Sequence, residues 1–377
     1  MYKYEMDKRF IQYFDGRMHQ VFFYLTDQCQ IRCKQCLYKP NLTFHMGNDM
    51  ISPQTVKELG ADFHQMGASK VTLMGGEPAL YGDLEHNNLQ EIIKCLRGIG
   101  YEYIRMDTNG LYEDDMLALE GIKELDEISF SLDGYDEETN GFVRGSNCFE
   151  KTVNNIKRAI ELNYNVYITT CVHKKLAEKN VDGFPKLKSM IEFADSIGVR
   201  EINFHVLLKH GFPMDTWTED TAITVAEWME IREVLEAWLD NFAETHNIRV
   251  RIPQHFVSKE RFEKNKEFYG YCPVKLGERI LVHPDGQLRI CSGLISSKYC
   301  IAKYIEKDKR IIWEEGNTNE ITDHTRICDT PCTNQSKGMD CGEDIVPLCF
   351  SFKPMQKEYV WKNKLRWDDN ENNELEY

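Results

Sequence analysis

Residues 21–36 read VFFYLTDQCQIRCKQC, an apolar segment followed at once by three cysteines spaced C-x3-C-x2-C. The segment 21–26 is rich in β-branched and aromatic residues and therefore predicts a buried strand. Folds built from parallel strands bind their ligands at the carboxyl ends of those strands. The stretch thus predicts a strand whose carboxyl end carries a group of thiols in a functional position.

Similar strands recur as far as about residue 208, and each is followed by a segment of helical periodicity. Repeated βα units favour an α/β protein with a partial (β/α)6 TIM-like barrel. The predicted strands are 21–26, 70–74, 103–106, 127–132, 165–172 and 201–206, and the predicted helices are 53–66, 87–99, 113–121, 149–163 and 184–197. A further amphipathic segment, 222–246, is interpreted as the last barrel helix.

After the barrel the pattern changes to a hairpin, ERILVHPDGQLRIC (278–291), whose Pro-Asp-Gly turn joins two alternating segments. The region beyond it has many cysteines and little apolar periodicity, so we expect a metal or cluster to stabilise it. The predicted domains are an N-terminal extension (1–19), the barrel (20–250), a cysteine-rich domain (251–355) and an acidic C-terminal tail (356–377).

Composition excludes several classes of protein. The chain has 377 residues, 42% of them hydrophobic, which is enough for a large core. A net charge of -15 argues against nucleic acid as a partner. No membrane-length apolar run or signal peptide is seen, so we expect a cytoplasmic protein with no membrane partner. Its thirteen cysteines then favour metal or redox chemistry over disulfides.

The cysteine triplet Cys29, Cys33 and Cys36 is an odd number of ligands for structural zinc, which takes four. A four-iron cluster held by three cysteines would leave one iron open for another ligand. The alternative is three unrelated buried thiols.

A second motif, Gly75-Gly76-Glu77-Pro78, directly follows the second predicted strand. Its glycines allow close backbone approach, and its carboxylate would suit an ammonium group. Further polar residues follow the third and fourth strands. They are Asn109 in TNG, Ser129, Ser131 and Asp133 in SFSLDG, and Arg144 in FVRGS.

In these motifs and their placement the chain resembles the radical S-adenosylmethionine (radical SAM) superfamily. The resemblance implies a 4Fe-4S cluster on the cysteine triplet and S-adenosylmethionine (SAM) beside it. Cleavage of SAM would yield a 5'-deoxyadenosyl radical that abstracts a substrate hydrogen. An aromatic residue often precedes the third cysteine in the family, where this chain has Gln35, so Tyr38 is expected to supply the ring. The residues expected to bind SAM are Tyr38, Gly75, Gly76, Glu77, Asn109, Ser131 and Arg144.

The C-terminal cysteines resemble a SPASM or twitch extension, which implies one or two auxiliary 4Fe-4S clusters. The spacing Cys272-x13-Gly286-x4-Cys291 fits the opening of that motif, whereas the second half fits only loosely. Zinc remains the rival metal here, and Cys300 would be a substitute ligand. The expected auxiliary ligands are Cys272, Cys291, Cys328, Cys332, Cys341 and Cys349.

Three functions follow from these expectations. The first is a radical SAM enzyme that crosslinks or oxidises a ribosomally made peptide. It would need a reducing donor such as flavodoxin or ferredoxin and, given the short segment before Cys29, a separate leader-recognition protein. The second is oxidation or rearrangement of a small metabolite. The third is a zinc-stabilised, non-catalytic binding protein. No residue is assigned as a catalytic acid or base.

Overall fold

The computed structural model describes residues 2–38, 50–82, 88–206, 217–252, 256–264, 277–291, 300–314, 345–347 and 360–361. Its strands are β1 Glu5–Met6, β2 Gln20–Tyr24, β3 Lys70–Met74, β4 Tyr103–Thr108, β5 Glu127–Ser131, β6 Val166–Val172, β7 Glu201–Val206, β8 Arg249–Arg251, β9 Phe256–Ser258, β10 Arg279–Val282, β11 Gln287–Arg289, β12 Ala302–Ile305, β13 Arg310–Trp313, β14 Ile345–Pro347 and β15 Val360–Trp361. Its α-helices are α1 Lys8–Phe14, α2 Pro53–Gln65, α3 Asn88–Ile99, α4 Glu137–Arg144, α5 Phe149–Glu161, α6 Lys174–Ala177, α7 Lys186–Ser196, α8 Val225–Thr245 and α9 Lys259–Lys264.

Within this part of the chain, thirteen strands form one sheet in the order β1-β13-β12-β11-β10-β2-β3-β4-β5-β6-β7-β8-β15. The strands β2 to β7 are parallel neighbours in chain order, joined by helices. This arrangement confirms the predicted α/β fold with a partial barrel. The carboxyl ends of these strands share one edge of the sheet, where the cysteine loop lies.

Two parallel strands extend the six that were predicted. Strand β8 follows α8 and pairs with β7, so α8 is not the last element of the barrel. It has three residues, RVR, too short and too charged to be identified as a strand. On the other side, β10 pairs with β2, with Val282 opposite Phe23. The predicted hairpin β10–β11 therefore continues the barrel sheet.

The N-terminal extension is also joined to this sheet. Its strand β1 pairs with β13, and the backbone N–H of Glu5 donates to the carbonyl of Lys309 (2.8 Å). The carboxylate of Asp62 in α2 accepts from the backbone N–H groups of Lys3 (2.6 Å) and Tyr4 (2.8 Å). Elements on both sides of the predicted boundary at residue 250 thus share one sheet, although the domain division itself stays a prediction.

The helices follow from local sequence. Ser52 caps α2, accepting from the backbone N–H of Thr55 (3.1 Å), and Pro53 occupies the first position. The α-helix predicted over 113–121 is wrong, since two short 3-10 helices, Asp114–Ala118 and Ile122–Glu124, lie there. Gly121 separates them and packs against Gln90, where a Cβ would lie 2.4 Å from the backbone oxygen.

The two faces of the parallel sheet differ in chemistry. On the outer face alternate residues such as Val21, Phe23 and Ile104 pack against helices in the main hydrophobic core. The inner face carries polar and aromatic side chains, including Tyr24, Arg105 and Ser129. Because strand side chains alternate, this pattern follows from the period of two in the strands. No helix among the described residues is long and apolar enough to cross a membrane.

Candidate active site

The cysteine loop begins where β2 ends. The backbone N–H of Leu25 donates to the carbonyl of Met74 (2.7 Å), which holds the start of the loop against β3. Cys29 and Cys33 are buried, and Cys36 is half-buried. Burial raises the pKa of the Cys29 thiol to about 11 and that of the Cys33 thiol to about 12. Both thiols therefore need a bound cation to ionise at neutral pH.

The arrangement of these thiols favours a cluster over a single ion. In the described ranges, no three His, Cys, Asp or Glu side chains converge as ligands of one metal ion would. Each cysteine of an iron-sulfur cluster binds a different iron, so its thiols are spread around the cluster. The backbone N–H of Cys36 donates to the carbonyl of Cys33 (3.3 Å), and Cys36 raises the pKa of both Cys29 and Cys33, so the three cysteines share one compact loop. The residues fit a 4Fe-4S cluster.

The two glycines of the GGEP motif bring β3 into contact with the cysteine loop. The backbone N–H of Gly76 donates to the carbonyl of Thr26 (2.6 Å), and that of Glu77 donates to the carbonyl of Gln28 (2.7 Å). A Cβ at position 76 would lie 2.1 Å from the Gln28 oxygen, so only glycine allows this approach. Gly75 also has a positive φ of 147°. Both glycines therefore shape the loop that carries the thiols.

The carboxylate of Glu77 is completely buried and organises the end of β4. It accepts from the Thr108 hydroxyl (2.7 Å), the backbone N–H of Asn109 (2.7 Å) and the backbone N–H of Ala79 (3.0 Å). Burial raises the pKa of this carboxyl, and these donors oppose the rise. Its contact with the amino group of SAM stays a prediction.

Asn109 lies directly beside the first cysteine. Its side-chain Nδ2 is 3.8 Å from Cys29 Sγ and donates to Gln30 Oε1 (3.2 Å). Its Oδ1 accepts from the backbone N–H of Leu111 (2.9 Å). The structure thus joins the end of β4 to the cysteine loop, and the assignment of Asn109 to SAM stays a prediction.

A buried ion pair lies at the end of β5. Arg144 Nη1 donates to Asp133 Oδ2 (2.9 Å), and Gln35 Nε2 donates to the same oxygen (2.5 Å). Burial opposes the charge of Arg144, but Cys33 and Asp133 outweigh it and raise its pKa. The other carboxylate oxygen, Oδ1, accepts from the backbone N–H of Cys171 (2.6 Å). Asp133 therefore connects the cysteine loop, α4 and β6.

The sequence motifs contain both Asp133 and Gln35, but only the fold brings these two residues together. Asp133 carried a signal, since it directly follows the SFSL strand, but its partner is 98 positions away in the chain. Ser131 is half-buried at the end of β5, opposite Thr169 of β6. The assignment of Arg144 and Ser131 to SAM stays a prediction, and the observed partner of Arg144 is Asp133.

An aromatic group borders the loop on the other side. Tyr38 donates its hydroxyl hydrogen to Asp27, and its ring lies 4.8 Å from that of Tyr24. The imidazole of His283 stacks on Tyr24 at 4.3 Å with 15° between the rings. His283, the residue that follows β10, is buried. The inner face of β7 carries His205, whose Nε2 lies 3.1 Å from Asn203 Nδ2.

Most predicted auxiliary ligands lie outside the described residues: Cys272, Cys328, Cys332, Cys341 and Cys349. Cys291 is described, and it is half-buried just after β11. Cys300 is buried, and its thiol donates to the carbonyl of Ala302 (2.9 Å). Cys148 and Cys171 are buried and Cys95 half-buried, and Cys171 lies on the inner face beside Asp133.

Comparison with known proteins defines the class of this site. Residues 23–184 match the model of the family described as the radical SAM superfamily. This match spans the cysteine loop, the GGEP motif, Asp133 and Arg144. The chain therefore carries a radical SAM domain. Domains of this family use a 4Fe-4S cluster and SAM, so these two expected cofactors are confirmed.

Particular relatives share parts of the chain. GTP 3',8-cyclase from Synechocystis sp. is 24% identical over 292 residues, covering 76% of this chain and 82% of that protein. GTP 3',8-cyclase from Limosilactobacillus fermentum is 34% identical over 149 residues, 38% of this chain and 42% of that protein. The chain spans about half the length of several other relatives of that name.

Among solved structures, anSMEcpe with bound AdoMet and Kp18Cys peptide is similar in fold. The match has a TM-score of 0.61 and 14% identity, and covers 89% of this chain and 93% of that one. At this identity the similarity concerns the fold alone. Because the similarity covers 89% of this chain, it extends beyond residues 23–184, which match the family model.

Proposed function

We propose that this chain cleaves SAM reductively and uses the resulting radical to rearrange a small molecule. The observation that carries the proposal is the meeting of the cysteine loop, the GGEP loop and the Asp133–Arg144 pair at one edge of the sheet. When bound, the cluster supplies the electron that breaks the sulfonium bond of SAM.

The chain's own residues have separable tasks in this proposal. Cys29, Cys33 and Cys36 hold the cluster, and the glycine contacts with Thr26 and Gln28 set the shape of their loop. Arg144 binds the SAM carboxylate while Asp133 orients its guanidinium, since Arg offers several donors in a fixed fork. The polar inner face receives the substrate and excludes water from the radical.

A small-molecule substrate is favoured by the names of the relatives. Several are GTP 3',8-cyclases, whose name describes a ring closure within one nucleotide. Neither of the two sequence relatives named above is called a peptide-modifying enzyme, and the peptide-bound anSMEcpe is similar in fold alone. The peptide substrate and the separate leader-recognition protein therefore lose their support, whereas a reducing donor is still required to supply the electron.

Auxiliary chemistry is a second part of the proposal. Cys291 follows β11, the strand next to β10, and so lies on the same sheet as the radical SAM domain. We place one auxiliary 4Fe-4S cluster at Cys291 together with cysteines outside the described residues, with Cys272 as the first of them. SPASM-like organisation of the remaining cysteines stays a prediction.

The test uses the full chain, reconstituted anaerobically with iron and sulfide. Wild type with SAM and dithionite should form 5'-deoxyadenosine, and the triple variant Cys29→Ala, Cys33→Ala, Cys36→Ala should form none. Cys95→Ala, which removes a half-buried thiol in α3, is the matched control and should keep cleavage. Persistent cleavage by the triple variant would remove the proposal.

The substrate class is tested separately with GTP as the first candidate. Mass spectrometry should show an isomer of GTP or its hydrolysis product only when SAM and reductant are both present. Consumption of a co-expressed peptide, with GTP unchanged, would restore the peptide hypothesis in place of this one.

A further inference from the structure

His283 is a buried imidazole to which the proposed chemistry assigns no task. Its backbone is held firmly: its N–H donates to the Gln287 carbonyl (3.0 Å), and its own carbonyl accepts from the Tyr304 hydroxyl (2.9 Å). Its ring stacks on Tyr24. Neither ring nitrogen has a hydrogen-bond partner in the described part of the chain. Buried polar atoms without partners destabilise a fold, so this placement points to a ligand.

Arg289 lies on the adjacent strand β11, opposite Leu281, and its charge acts on this imidazole. Burial and then the charge of Arg289 lower the pKa of His283 to about 3. The ring is therefore neutral at physiological pH, so one nitrogen donates a hydrogen bond and the other accepts one. Arg289 is 4% exposed, and its Nη2 donates to Gln287 Oε1 (2.8 Å), which sets the orientation of the guanidinium.

These two residues belong to a wall of the sheet that is rich in positive charge. We define the cationic wall as the inner faces of β11, β10, β2 and β3. Among the described residues of these strands, the inner faces carry three cations and no acid. The cations are Lys70, Arg279 and Arg289, and all are buried. In a chain with a net charge of -15, this local concentration is a marked contrast.

The wall also lies close to the cysteine loop. The ring of Tyr38, two residues after Cys36, is 5.6 Å from the ring of His283. An anion held by His283 and Arg289 would therefore lie on the β10 side of the loop. The Asp133–Arg144 pair lies beyond the end of β5, four strands along the sheet from β10, so the two sites use different strands.

We propose that His283 and Arg289 form a binding site for an anionic group of the substrate, either phosphate or carboxylate. Arg289 supplies a charged, planar pair of donors, and the neutral ring of His283 supplies one more. Lys70 and Arg279 extend the favourable potential deeper into the wall. This inference rests on the proposed function and names the chemical class of its substrate.

The experiment is calorimetric titration of the anaerobically reconstituted full chain with two probes, inorganic pyrophosphate and citrate. Wild type should bind one of them, weakening as NaCl is raised, and the preferred probe distinguishes phosphate from carboxylate. Arg289→Met and His283→Phe, which keep side-chain bulk, should each lose roughly tenfold or more in affinity. Arg310→Met, removing an exposed cation of β13, is the matched control and should bind like wild type.

Several results would overturn the inference. It fails if wild type binds neither probe, or if folded Arg289→Met and His283→Phe bind like wild type. It also fails if Arg289→Met loses iron while wild type ignores both probes, because Arg289 would then offset the charge of a cluster at Cys291. Circular dichroism checks the fold of each variant, and the wild-type titration is decisive even if one variant does not fold.

Formation of 5'-deoxyadenosine by wild type, measured in the same preparation, separates the two proposals. Cleavage of SAM without binding of either probe would defeat the anion site alone. Binding of a probe without cleavage would defeat the proposed function alone.

Discussion

The two walls of the inner face carry charge in different ways. On β4 to β8, arginines lie beside acids of the same or neighbouring strands: Arg105 with Asp107, and both Arg249 and Arg251 with Glu201. On the cationic wall the strands themselves supply only cations. Oppositely charged side chains that pair within a sheet stabilise the fold, because each neutralises the charge of the other without a ligand. A one-signed wall is suited to a ligand of opposite charge.

The largest effect on stability should come from the ion pairs on strands β4 to β8. Glu201→Gln would leave Arg249 and Arg251 without their shared carboxylate, and we expect a loss of about 3 kcal/mol in the free energy of unfolding. Urea denaturation of the reconstituted protein measures it. Glu120→Gln, at an exposed pair with Lys123, is the control and should be unchanged. Equal stability of Glu201→Gln and wild type would show that these pairs do not support the fold.

The next effect concerns pH and the cationic wall. Burial and Arg289 lower the pKa of His283 from 6.5 to about 3. In the unfolded chain the imidazole of His283 therefore becomes protonated below about pH 6.5. In the folded chain it becomes protonated only below about pH 3. This contribution to stability is complete above pH 6.5 and is lost as the pH falls, by about 1.4 kcal/mol per unit.

Urea denaturation at several pH values checks that sign. His283→Phe should reduce the loss of stability on acidification. A wild-type slope that is unchanged in His283→Phe would mean that the ring is solvated or paired in solution.

The smallest effect is expected when Arg105 on β4 loses its acidic partner, which makes that strand resemble the cationic wall. Asp107→Asn removes the charge that holds Arg105 through two bonds of 2.7 and 2.9 Å. We expect a loss of about 1 kcal/mol in the free energy of unfolding, because the amide still accepts a hydrogen bond. Binding of the probe that wild type prefers should be equal or slightly tighter, since Arg105 is no longer held by the charge of Asp107. Weaker binding would contradict the distinction between the walls.

Much of the fold was predictable because its signals are local. The strands 70–74 and 201–206 have the predicted bounds, since alternation and flanking turns define them within a few residues. Strand β8 was missed because RVR has no apolar pattern of its own and depends on pairing with β7. The segment 113–121 was predicted as helix because its composition suits one, but Gly121 and its contact with Gln90 stop it.

The candidate site divides in the same way. Cysteine spacing and GGEP placed the loop and its partner strand, since both motifs follow strands directly. The link from Gln35 to Asp133, and the stack of His283 on Tyr24, join residues far apart in the chain. Such contacts depend on how strands are ordered in the sheet, which local patterns do not encode.

The sequence by itself determined the parallel strands, the thiol donors and their place at a carboxyl end, because these depend on short-range periodicity and spacing. Only the tertiary structure decided that β10 lies beside β2, which brings His283 and Arg289 next to the cysteine loop. It also decided that Arg144 meets Asp133 while the cations of the other wall come from strands without acids. Long-range pairing sets which charges meet, and that in turn sets where a ligand can be bound.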